Sequence, residues 1–120
     1  MTQLLVIGGT GFIGHHLLRL AVEKKWSVAS LSINPPKLEH HVSGVSYLFG
    51  DLINLRQIEK ILRNKDFDYV VNLGGYVNHT LFREGGRQQI EEHFTAIQNL
   101  ITVLSSEKLK RFIQIGKCIY

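Results

Sequence analysis

Short apolar runs alternate along the chain with longer stretches in which apolar residues recur at helical spacing. Leu4, Leu5, Val6 and Ile7 make an almost unbroken apolar run within residues 3–8, the pattern of a strand covered on both faces. Ile13, Leu17, Leu20 and Ala21 then repeat at helical spacing up to Lys24-Lys25, whose charges suit a helix C-terminus. Residues 26–33 predict a second strand, stopped at Asn34-Pro35-Pro36 because proline cannot donate to a ladder. Residues 45–49 predict a third strand. Asn54 with Gln57 three residues on matches a capping box, and Leu55, Ile58, Ile61 and Leu62 give the next helix its expected buried stripe. Residues 68–73 predict a fourth strand, followed by a long connection carrying Gly74-Gly75 and Gly85-Gly86. The longest helix is expected over 87–106, with Ile90, Phe94, Ile97, Leu100, Ile101 and Leu104 on one face, and 111–115 predict a fifth strand.

Strand alternating with helix implies right-handed crossovers and a parallel sheet. The expected fold is a three-layer, doubly wound α/β domain over residues 1–120, with five strands ordered 3-2-1-4-5. The pattern contains no internal repeat and no linker.

Gly8, Gly11 and Gly14 form G-x-x-G-x-x-G between the first strand and the first helix, the context in which such a turn holds a dinucleotide. Gly8 lets the chain leave the strand sharply, Gly11 admits the pyrophosphate close to the backbone, and Gly14 lets the helix pack close to the sheet. The amides opening that helix, backed by its dipole, face the phosphates. Thr10 adds a hydroxyl. These residues predict a Rossmann-type site for NAD or NADP.

Residues Ile7-Gly8-Gly9-Thr10-Gly11-Phe12-Ile13-Gly14 resemble the signature of the extended short-chain dehydrogenase/reductase family, the NAD-dependent sugar-nucleotide epimerases and dehydratases. Gly50-Asp51-Leu52 resembles that family's aspartate after the third strand, which the resemblance assigns to the adenine. Without the family, a purely structural role for Asp51, as turn residue or helix cap, weighs as much as the adenine contact. Val70-Val71-Asn72-Leu73-Gly74-Gly75 resembles its fourth strand, whose two small residues pass beside the cofactor, and His93 to Ile101 resembles its N-V-x-G-T-x-N-L-L helix. The resemblance thus implies a cofactor site made of Gly8, Thr10, Gly11, Phe12, Ile13, Gly14, Ser32, Asn34, Asp51, Leu52, Leu73, Gly74 and Gly75. At the end of strand two, a carboxylate selects the ribose 2′-hydroxyl of NAD and an arginine accommodates the 2′-phosphate of NADP. Ser30, Ser32, Asn34 and Lys37 stand there instead, which leaves the choice open.

The resemblance further implies a catalytic Y-x-x-x-K, its tyrosine a general acid/base whose pKa the lysine lowers. None of Tyr47, Tyr69, Tyr76 or Tyr120 is followed by a lysine four residues on, and Gly116-Lys117-Cys118 replaces the family's serine segment. No catalytic residue is therefore assigned. The expectation is a dinucleotide-binding portion truncated before the catalytic and substrate-binding parts, inactive alone, with a nucleotide sugar as partner of a longer form and a possible homodimer. The alternatives are a non-enzymatic dinucleotide sensor and a degenerate paralogue that keeps the fold without the ligand.

Composition narrows the classes. With 44% apolar and 20% charged residues among 120, the chain has the make-up of a globular domain. The net charge of +4 comes from lysines and arginines spread along the sequence, which argues against nucleic acid. Apolar runs are too short for a membrane span, and the N-terminus lacks a signal-peptide pattern, so a cytoplasmic location is expected. One cysteine forms no internal disulfide, and the six histidines lack metal-ligand spacing, so no metal is expected.

Overall fold

The computed structural model describes residues 2–9, 12–63, 65–73, 95–104 and 109–114. Its strands are β1 (Gln3–Ile7), β2 (Ser27–Ser32), β3 (Val45–Phe49), β4 (Tyr69–Asn72) and β5 (Arg111–Gln114). Helix α1 spans Phe12–Glu23 and α2 spans Leu55–Leu62, while a one-turn 3-10 helix, Leu38–His40, lies between β2 and β3. Residues 95–103 are helical and form α3. The rest of the long helix expected over 87–106 lies outside the described residues.

All five strands are parallel, in the order β3-β2-β1-β4-β5, as the alternation predicts. Ile7 at the end of β1 faces Leu31 of β2 and Asn72 of β4, so the strand ends line up along one edge. The chain order reverses across β1 and β4. That reversal opens the crevice in which folds of this type place ligands.

The unbroken apolar run of β1 has a direct cause in the two cores. Leu5 and Ile7 join Ala29, Leu31 and Val70 beneath Ile58, Leu62, Ala96 and Leu100 from α2 and α3. Leu4 and Val6 join Val28 and Val71 on the opposite face, beneath Leu18 and Ala21 of α1. With both faces covered, each side chain of the strand is apolar whichever way it points.

Helix α1 departs from the expected stripe. Ile13 is 67% and Leu20 55% exposed, whereas Gly14, His15, Leu18 and Ala21 are buried. The face is set by Gly14: a Cβ there would stand 2.5 Å from the Gly9 Cα, so only a bare backbone fits against the turn. The buried positions then follow at 18 and 21, one turn and two turns on. Similarly, Ile101 of α3 is 63% exposed although it was expected inside, because Ala96 and Leu100 face the sheet. Leu55, expected in the stripe of α2, is exposed at the helix's first position.

Beyond Glu23, Lys25 N–H donates to Val22 O (2.9 Å) and Trp26 N–H to Ala21 O (3.0 Å). This doubled closure puts Lys25 in the left-handed region at φ 63°, where glycine is the usual residue. Trp26 then stacks on Tyr69, ring centroids 5.8 Å apart, at the N-terminal end of the sheet.

Candidate functional site

The site assembles where β1, β2, β3 and β4 end. Gly8 turns the chain out of β1 at φ 80°, a conformation that favours glycine, and its N–H donates to Leu31 O (3.0 Å). Leu73 N–H donates to Ile7 O (2.8 Å) and Gly50 N–H to Ser32 O (3.0 Å). These bonds carry the sheet's pairing past the strand ends. They bring Gly8, Ser32, Gly50-Asp51 and Leu73 to one edge, with Phe12, Ile13 and Gly14 opening α1 beside them.

Gly9 is a site residue that the spacing argument passed over. A Cβ on it would meet Ser30 Oγ at 2.6 Å and Leu18 Cδ1 at 3.0 Å. The turn is therefore pressed onto the sheet through Gly9 from below and onto α1 through Gly14. The fully buried Ser30 hydroxyl beneath it has no hydrogen-bond partner among the described residues. In the sequence, Gly9 was visible only as the second of an adjacent pair.

Helix α1 has twelve residues and no acidic side chain in its first turn, so no side-chain carboxylate there offsets the positive end of its dipole. Its first N–H groups lack intrahelical acceptors, as in every helix. Such a donor set is suited to an anion, and the dinucleotide pyrophosphate is an anion of the right kind.

Around β2 the Ser32 hydroxyl donates to Asn34 O (2.8 Å). Its one proton is thus engaged, and toward a ligand it presents lone pairs only. Asp51 shapes the loop after β3: its Oδ1 accepts from Ile53 N–H (3.1 Å), its carbonyl from Asn54 N–H (3.0 Å), and its own N–H donates to Gln57 Oε1 (2.9 Å). Asn54 Oδ1 accepts from Gln57 N–H (3.2 Å), which is the expected cap. The return contact of the box, however, goes to Asp51 rather than to Asn54. The turn role anticipated for Asp51 is therefore realised.

Leu52 is buried, and its carbonyl accepts from Asn99 Nδ2 (2.8 Å). The Asn99 amide thereby braces the loop carrying Asp51 against α3. Its place in the resemblance marked Asn99 but did not disclose this function.

Thr10, Gly11, Gly74, Gly75, His93, Tyr76, Tyr120 and Cys118 lie outside the described residues. The two described tyrosines have structural occupations. Tyr47 Oη accepts from Val42 N–H (2.9 Å), and Tyr69 stacks on Trp26 at the opposite end of the sheet. Among the described residues no three His, Cys, Asp or Glu side chains are grouped to hold a metal ion, and no helix is long and apolar enough to cross a membrane.

Residues 4–120 match the model of the NAD dependent epimerase/dehydratase family, and the chain belongs to that family. No curated protein matches it. Among solved structures it is similar to a UDP-glucose 4-epimerase at 19% identity and TM-score 0.80, covering 94% of this chain and 35% of that one. The epimerase of Bifidobacterium longum, in complex with NAD+ and UDP, is 23% identical with TM-score 0.75, over 94% of this chain and 36% of that one. For the Thermus thermophilus epimerase in complex with NAD, the values are 24% and 0.72, over 85% and 33%. At these identities the likeness concerns the fold. The chain spans about a third of the length of each of these epimerases.

Proposed function

We propose that this chain is the dinucleotide-binding domain, residues 1–120, of a sugar-nucleotide epimerase, dehydratase or reductase, and that it binds cofactor without turning over substrate by itself. The observation that carries the reading is the Gly9–Gly14 contact at the head of α1, which leaves no room for a Cβ and seats the turn between β1 and an N-terminus free of acidic side chains. Gly8, Thr10, Gly11, Phe12, Ile13 and Gly14 would hold the pyrophosphate. Asp51 and Leu52 would border the adenine, and Leu73, Gly74 and Gly75 would pass beside the nicotinamide half. When bound, the nicotinamide supplies hydride acceptance and donation. The chain's own contribution is to bind and orient it, since none of Tyr47, Tyr69 and Tyr76 has the lysine four residues on that would tune it as an acid/base.

Ser32 favours NAD over NADP. With its proton donated to Asn34 O, it offers lone pairs, which suit the 2′-hydroxyl of NAD as a donor and repel a 2′-phosphate that only accepts. Calorimetric titration of the chain with NAD and NADP side by side tests this. Saturable NAD binding, with NADP weaker by about 1 kcal/mol or more for the mismatched polar contact, is the expected result. Absence of binding by both defeats the assignment, and tighter NADP defeats the role of Ser32. Replacing Gly11 by Val abolishes binding and leaves a folded domain if the turn is the site. Turnover of a nucleotide sugar by the chain would overturn its inactivity. In a longer form, a nucleotide sugar would be the second ligand.

A further inference from the structure

Three imidazoles meet on the outer side of the cradle. His40, in the 3-10 turn after β2, stacks on His15 of α1 with centroids 4.4 Å apart and planes 7° from parallel. His16 closes on His15 at 4.1 Å. His15 is only 6% exposed, and it follows directly on Gly14. Along 33–41 only Pro36 and His40 lose much of their exposure, while Ile33, Asn34, Pro35, Lys37, Leu38, Glu39 and His41 are exposed. The loop therefore rests on the body at few points, and its ring contacts are His40 on His15 and His41 on Tyr47.

We propose that the His15–His40 stack is a positioning contact: it latches the 33–41 loop, and with it the Ser32–Asn34 corner, against the start of α1. The inference rests on the reading of that corner as part of the dinucleotide site.

Imidazole rings stack favourably through their π faces. His41, next in the loop, packs on Tyr47 of β3 at 5.0 Å. Beside the stack, desolvation, then the like charges of His15, Arg19 and His40, lower the pKa of His16.

Amide hydrogen exchange, corrected for the intrinsic rate, decides the latch on the full chain. The reporters are the amides of residues 40 and 41, which close the 3-10 turn on Lys37 O and Leu38 O. His40→Phe keeps the stack and should hold protection at the wild-type level, whereas His40→Ala should lose up to about tenfold of it, the weight of an aromatic pair. Equal protection in His40→Ala and wild type, or protection in His40→Phe as low as in His40→Ala, would overturn the proposal. NAD affinity of the same three proteins reads the positioning part. It should follow the protection, and an affinity unchanged in His40→Ala refutes positioning. Failure of the wild type to bind NAD defeats the dinucleotide reading instead, while exchange still decides the latch.

Discussion

Gly14 and Asn99 show how differently two residues of the same site disclose themselves. Glycine spacing marks Gly14 in the sequence, and its contact with the Gly9 backbone supplies the reason. Gly14→Ala should destabilise the domain by about 1–3 kcal/mol through overpacking, because the opposing atoms are backbone and cannot rotate away; urea denaturation midpoints measure it. Asn99 is marked by its place in the resemblance alone, which says nothing of its contact with Leu52. Its effect depends on where the Leu52 carbonyl stands, 47 residues back in the chain, and no local pattern encodes that distance. Asn99→Ala leaves that buried-side carbonyl without its side-chain donor and should cost about 1–2 kcal/mol. NAD titration should show weaker binding as the Asp51 loop loses its brace. The Gly9–Ser30 contact is hidden for a related reason, since it is made between a turn and a strand remote in sequence.

At the scale of elements, every strand expected from the apolar pattern is present, and Asn54 caps α2 as its spacing predicts. The buried face of α1 departs from its apolar pattern. Ile13 and Leu20 are apolar and correctly spaced, yet a stripe through His15 and Leu18 wins because the close approach at Gly14 fixes the rotation of the helix. Hydrophobicity alone ranks a histidine below an isoleucine, and a backbone contact is invisible to that ranking. The end of α1 supplies a prediction of its own. Lys25 sits at φ 63° in a doubly bonded helix terminus, so Lys25→Gly should stabilise the fold by about 1 kcal/mol by removing the left-handed penalty. A rise in the thermal midpoint checks it.

Over the whole molecule, the strand order and the family were legible because alternation and the glycine turn constrain the topology together. The packing of the 33–41 loop was not, since prolines mark a break without saying where the chain lands. Helix α1 ties the molecule's stability to pH. The pKa of His16 is lower in the folded state than in the unfolded chain, so the unfolded state holds more protons between the two values. Stability should be complete above the ordinary histidine pKa, fall as the pH drops through it, and level off below the lowered value; denaturation midpoints at constant ionic strength trace the curve. The same experiments have a built-in optical reporter. The chain's single tryptophan, Trp26, stacks on Tyr69, which pairs with Leu4 at the foot of β1, about 13 Å from Gly8 at 3.3 Å per residue. Its emission therefore registers the loss of the sheet and stays out of reach of direct quenching by a nucleotide in the cradle. Oxidised cofactor should leave the signal unchanged, and reduced cofactor, which absorbs at the emission wavelengths, should dim it through space, so one cuvette separates binding from unfolding.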